Sequence, residues 1–362
     1  MYAPMHRLGR HLAGLGLATA LLGTSVSALL GASVLPAAAA VSSGTIYAGG
    51  LNTPGGSVWM GTHLWATDHV NGLCRLDPAP ATAKLPAGSM APNPATCVLP
   101  GGGQPTFDPA TNFVYVPDNS TKGTSVLRFK FNPTTETLRA AGSLGSNVIV
   151  AGSKPTGSVL DTDGSLYVSS GAAKAGNVVR ITNPSGTQVD AAGNLLPTVA
   201  SVIGTTSDGR GALGVALANH SDGTPGRSLY LAEGGDISEI PNPASCNGTC
   251  VASPTGMLAS TVINGKAVLW EGLDVMADPA NPDVVYLAKW APHDLGNKVI
   301  IDRHTLSTGA QIEYATSYTA PDGKLQPFTS VTDLAPNPAG GMFVAHDPTN
   351  GGTNGALISR LP

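Results

Sequence analysis

Apolar residues in this chain come in short runs, and glycine, asparagine, aspartate or proline closes nearly every run. Long helical stripes are missing from the pattern. Residues 157–184 hold the most regular example. There, Gly157-Ser-Val-Leu leads to the turn Asp161-Thr-Asp-Gly164, then to Leu166-Tyr-Val168, a loop, and Val178-Val-Arg-Ile181 before Asn183-Pro184. This spacing predicts three short strands joined by tight turns. Such a unit cannot bury its own apolar faces, so it needs neighbours of the same kind.

Looser copies run through the chain. The first joins 55–60, 64–66 and 72–78, and the second 104–107, 113–116 and 126–129. The third is the unit at 157–184. The fourth joins 214–217, 229–231 and 236–240, the fifth 273–276, 285–287 and 299–301, and the sixth 333–335, 342–344 and 356–361. A fourth strand is expected between copies, for example at Asn147-Val-Ile-Val-Ala151 and Ser260-Thr-Val-Ile263. Four strands per repeat of about 50–60 residues is a propeller-blade pattern. The expected fold class is all-β, a six-bladed β-propeller. Its N-terminal strand, Thr45-Ile-Tyr-Ala48, would complete and close the last blade. A β-helix or a sandwich is the alternative.

Composition supports strands and turns over helices. The chain has 362 residues with 46 Gly, 29 Pro and only 12% charged residues. A net charge of -4 offers no basic face for nucleic acid. Residues 1–40 carry Arg7 and Arg10, an apolar stretch and the small-residue ending Ala37-Ala-Ala-Ala40. They read as a signal peptide cleaved after Ala40, leaving residues 41–362 as the propeller and no membrane partner. An uncleaved membrane anchor is the competing reading. Export suits the four cysteines, which allow three pairings; Cys74–Cys97 and Cys246–Cys250 are the favoured ones. Cys97 is read as part of the strand after Cys74.

Asp163-Gly-Ser-Leu-Tyr-Val168 followed by Gly176-Asn-Val-Val-Arg-Ile181 resembles an NHL-type repeat, and residues 65–78 carry the same cadence. The resemblance implies a propeller fold. Propellers of broadly similar architecture include gluconolactonase-like and paraoxonase-like enzymes, which hold a divalent metal at the centre of one face. Their catalytic signatures do not match here, so no residue roles carry over.

Aligning the copies gives two candidate rings around one channel mouth. The start of the first strands reads Gly55, Gln104, Gly157, Gly214, Asp274 and Asp333. The end of the second strands reads Asp68, Asp118, Ser170, Glu233, Lys289 and His346, with His69, Asn119, His293, Asp294 and Asp347 beside them. The aromatics just before, Trp65, Tyr115, Tyr167, Tyr230, Tyr286 and Phe343, read as packed core. His63, His220 and His304 read as solvated residues of the opposite turns.

Carboxylates gathered around one channel repel each other, and a cation relieves that repulsion. Asp68, Asp118, Glu233, Asp274, Asp333 and His346 are therefore candidate ligands of a divalent metal, calcium or zinc. His69, His293 and His346 are candidate general bases. Lys289 with Trp290 is a candidate receptor for an anionic or aromatic group. Two functions follow: a metal-assisted, lactonase-like hydrolase of a small molecule, or a non-catalytic module binding protein, glycan or metal. The ordinary alternative for each residue is a solvated loop or a turn-forming aspartate.

Overall fold

The computed structural model describes residues 41–98, 102–120, 123–149, 155–170, 176–207, 212–258, 261–263, 266–268, 270–291, 298–346 and 356–362. The expected signal peptide, His293, Asp294 and Asp347 lie outside the described residues, as does the side chain of Ser170.

The described chain is nearly all β. Short strands follow from the sequence, because nearly every apolar run of the described chain ends at a turn residue before a helix could form. Each copy folds as an antiparallel sheet. The first is Pro54–Met60, His63–Asp68, Gly72–Pro78 and Met90–Pro92. The second is Thr106–Asp108, Phe113–Pro117, Val126–Asn132 and Thr137–Leu144. The third is Pro155–Leu160, Leu166–Ser170, Asn177–Thr182 and Val199–Thr205. The fourth is Val215–Ala218, Ser228–Glu233, Asp236–Pro241 and Ser253–Pro254. The fifth is Glu271–Asp278, Asn281–Ala291, Lys298–Thr305 and Ala310–Thr319.

The sixth sheet combines both ends of the chain. Val331–Pro336, Met342–His346 and Ala356–Leu361 pair in order, and Ser42–Leu51 adds antiparallel to Ala356–Leu361, with Thr45 opposite Arg360. The same N-terminal strand runs parallel to Ala310–Thr319 through Ser42–Thr45, and touches Met90 through Ala48. One strand therefore ties the sixth sheet to the fifth and the first.

The first strand of each sheet contacts its counterpart in the next, and Val331–Pro336 contacts Pro54–Met60. Apolar side chains fill the spaces between sheets. Trp65, Met60 and Leu73 pack against Val114, Val116 and Phe131, joining the first sheet to the second. Tyr230 and Ile237 pack against Val285, Leu287 and Ile300, joining the fourth to the fifth. The aromatics expected in the core are there: Trp65, Tyr115, Tyr167, Tyr230 and Phe343 are fully buried, and Tyr286 is half-buried. Burying such a ring contributes about 1.5–3 kcal/mol.

Several expectations are corrected. Residues 147–149 form a turn, not a strand: the Val148 and Ile149 amides both donate to Gly145 O. Gly145 has φ +74°, which reverses the chain there. The fourth strand of the second sheet comes earlier, at Thr137–Leu144. Thr261–Ile263 is a strand, but it pairs with Lys266–Val268 as a separate hairpin. Both favoured disulfides are present, Cys74–Cys97 and Cys246–Cys250. Cys97 is not in a strand; it ends the single turn Pro94–Thr96, and its neighbour Val98 bridges to Leu73.

Candidate functional site

Inner-strand positions meet at the centre. Gln104 Nε2 donates to Asp274 Oδ1 at 2.8 Å. The Leu334 amide donates to Asp274 Oδ2 at 2.5 Å. Asp333 Oδ2 accepts from the amide and the hydroxyl of Ser57, at 2.8 and 3.0 Å. Glycines make room for these contacts. A Cβ on Gly214 would stand 1.6 Å from Asp274 Oδ1, and one on Gly157 would stand 3.0 Å from Gln104 Oε1. At the first sheet the facing glycine is Gly56, not Gly55. A Cβ on Gly56 would meet Gln104 Cα at 2.6 Å, whereas one on Gly55 would meet Gly102 O. A register shift between Pro54 and Gly56 causes this offset.

Asp274 and Asp333 are 1% and 4% exposed. Burial raises the Asp274 carboxyl to about 7. Burial, and then the charge of Asp274, raises Asp333 well above the usual carboxylate range. Two such acids hold one proton between them more easily than two negative charges.

The other expected ligands are not brought into this group. Asp68 accepts from the amides of Asn52, Val70 and Asn71, at 2.6, 2.8 and 3.2 Å, and so closes its own hairpin. Asp118 accepts from the Ser120 amide at 3.1 Å. Glu233 holds the Ser207 amide at 3.0 Å and its hydroxyl. His346 is fully buried between sheets, with the Tyr318 and Phe328 rings 4.5 and 5.0 Å away and Ser359 Oγ 2.9 Å from Nε2. Burial depresses its imidazole to about 3, which keeps it neutral. His69 is exposed in the loop after His63–Asp68.

The fit of a divalent cation can be judged from these donors. Three of the four oxygens of Asp274 and Asp333 already accept N–H or O–H groups of the chain. A cation there would compete with those donors. Calcium takes six to eight oxygen ligands, and zinc about four strong ones. Among the described residues, no group of three or more His, Cys, Asp and Glu is placed to hold a metal. The described residues at the axis do not fit a divalent centre.

Residues read as turn or anion-binding groups have other partners. His63 Nδ1 pairs with Glu136, and its Nε2 lies 3.8 Å from Asp77. His220 Nδ1 is 2.6 Å from Ser228 Oγ. His304 is 6% exposed rather than solvated, because it lies inside the strand Lys298–Thr305. Lys289 pairs with Asp302 and lies 4.6 Å over the ring of Trp270, not Trp290.

A groove of about 830 Å³ lies away from the axis, between the N-terminal strand and residues 77–97 of the first sheet. Asn52, Asn71, Asp77, Lys84 and Asn93 supply its polar lining, and Leu51, Leu85 and several prolines its apolar part. Asp77 is neutralised there by Arg75, at 2.7 and 2.9 Å, and Asn93 donates to it at 2.5 Å. Arg75 and Asn93 hold its carboxyl below the usual range. Sequence reading missed this groove, since it depends on how residues 49–52 of the N-terminal segment pack against residues 77–97.

No protein-family model and no curated protein matches this chain. Solved structures do resemble it. The calcium structure of a Trichoderma reesei protein of carbohydrate-active enzymes family AA12 aligns with a TM-score of 0.52 and 14% identity, over 90% of this chain and 96% of that one. The PQQ-bound aldose sugar dehydrogenase of Streptomyces coelicolor aligns with a TM-score of 0.51 and 16% identity, over 90% of this chain and 99% of that one. The fold is a β-propeller. At these identities the likeness is one of fold, and a propeller presents sites at its axis or between its blades.

Proposed function

We propose that this chain is an exported six-bladed β-propeller, closed by its N-terminal strand, that binds a neutral polar small molecule, such as an oligosaccharide, without turning it over. The groove beside Ser42–Leu51 carries this reading. Its volume lies in the range of small-molecule sites. The Asn52 and Asn71 amides offer donors and acceptors without net charge. Leu51, Leu85 and the prolines offer apolar surface for the C–H faces of a sugar ring. The acid in the lining is already neutralised by Arg75.

Six inner strands in mutual contact support six blades, and the pairing of Thr45 with Arg360 supports closure. Two disulfides, together with the cleavage pattern at residues 37–40, support export. The lactonase-like reading would place a divalent cation at Asp274 and Asp333, where the chain's own donors already occupy the carboxylates.

Calorimetric titration with a panel of soluble oligosaccharides tests the proposal. Saturable binding that Asn52→Ala with Asn71→Ala weakens at least tenfold supports it. Turnover of a lactone by metal-loaded protein, lost in Asp274→Asn, would overturn it in favour of the hydrolase.

A further inference from the structure

We propose that Lys289 and Asp302 are the two halves of an intramolecular isopeptide bond, which covalently ties the strand Asn281–Ala291 to the strand Lys298–Thr305. The strands are antiparallel neighbours, with Leu287 opposite Asp302 and Lys289 opposite Ile300. Lys289 is therefore the diagonal neighbour of Asp302 on one face of the sheet. Lys289 Nζ and Asp302 Oδ2 form an ion pair whose side chains are 7% and 3% exposed.

The surroundings are those of an apolar core. Leu287 and Ile300, on the same face, belong to the cluster that also contains Trp270, Tyr230 and Leu306. The Trp270 ring lies against Nζ and keeps water from it. Two polar side chains complete the arrangement. Gln311 Nε2 donates to Asp302 Oδ2 and fixes the carboxyl group. His304 is two residues along the strand, so it shares the face with Asp302. Its Nε2 is buried with no hydrogen-bond partner among the described residues. Burial depresses this imidazole to about 4, so it stays neutral and adds no third charge to the pair.

An ammonium and a carboxylate do not condense in water, where both are held in their charged forms. Removing two charges from water costs several kcal/mol per ion. Amide formation requires the ammonium first to pass one proton to the carboxylate it is paired with. The neutral amine then attacks Cγ. The Nζ–Cγ bond forms and the Cγ–Oδ2 bond breaks. Of the three ammonium hydrogens, one passes to Oδ2 beforehand, a second follows it as the tetrahedral intermediate collapses, and one stays as the amide N–H. Oδ2 leaves as water and Oδ1 becomes the amide carbonyl. No oxidant, reductant or further reactant is needed. The amide removes both buried charges.

Peptide mapping of the purified, denatured and fully reduced protein decides the matter. The expected result is a pair of tryptic peptides joined through Lys289 and Asp302, one water lighter than their sum, with no cleavage after Lys289. Lys289→Met and Asp302→Ala should each abolish the joined species. Should both variants fail to fold, the map of the unaltered protein still decides. Cleavage after Lys289 with both residues at full mass would overturn the proposal. So would a lost water that maps to a succinimide at Asp163-Gly164 or Asp322-Gly323 instead.

Discussion

Gln104 Nε2 donates to Asp274 Oδ1 at 2.8 Å across 170 residues of chain. The bond links the second sheet to the fifth through the axis, over glycines that leave no room for anything larger. It makes the axis testable by single substitutions.

Gly214→Ala puts a Cβ 1.6 Å from Asp274 Oδ1, so Asp274 must leave its position or the strand must shift. Overpacking of this kind costs about 2–3 kcal/mol. Chemical denaturation should show that loss, while Gly235→Ala, with open space at its Cβ, should sit near the unaltered protein.

Asp274 should make stability fall as pH rises. Its folded pKa of about 7 lies above the ordinary 3.8, so between those values the folded state holds the proton more firmly than the unfolded state does. Stability attributable to this group therefore declines from about pH 4 to pH 7 and is flat above. Asp274→Asn can keep both contacts if Gln104 turns its amide, and it should flatten the part of that decline due to Asp274, gaining up to about 4 kcal/mol at pH 7. Denaturation midpoints measured across pH check it. A decline that survives in Asp274→Asn would locate its origin elsewhere.

His346 should act in the opposite direction. Its folded pKa of about 3 lies below the ordinary 6.5, so the unfolded state binds the proton first. Its stability contribution is complete above about pH 6.5 and is lost as pH falls toward 3. The two trends offset each other in the unaltered protein. His346→Phe should fill the aromatic cage and reduce the acid-side loss. It leaves Ser359 without its partner, at a cost of about 1 kcal/mol. Midpoints at pH 4 and pH 7 separate the two effects.

The disulfides should contribute unequally. Cys74–Cys97 spans 23 positions and Cys246–Cys250 spans 4. Loop-closure entropy gives about 3.5 kcal/mol for the longer and about 2 kcal/mol for the shorter. Paired Cys→Ser variants of each, unfolded in denaturant, should keep that order.

The strand-and-turn units were legible because turn residues mark their ends. Leu166-Tyr-Val168 and Val178-Val-Arg-Ile181 fall inside Leu166–Ser170 and Asn177–Thr182. The inner-ring alignment also placed Gln104, Asp274 and Asp333 at positions that meet. Outer strands were harder, because Thr137–Leu144 is largely exposed and carries little apolar signal. The apolar run 148–150 gave a strong signal for a strand and is a turn where described, since Gly145 reverses the chain just before it. His346, Lys289 and His304 depend on which face of a strand meets the next sheet. That register is set by pairing between distant segments and is not written in local pattern.

The strand Ser42–Leu51 finds its partners at the far end of the chain. Until Ala356–Leu361 is available, both strands present unpaired edges, and the apolar side chains of Leu51, Ala48 and Ile358 face water. Pairing so distant in sequence is slow, because the chain must be ordered over its whole length before the contact forms. The first segment of the folded body is thus among the last to be secured. The chain is most exposed to aggregation and proteolysis while its end is still arriving.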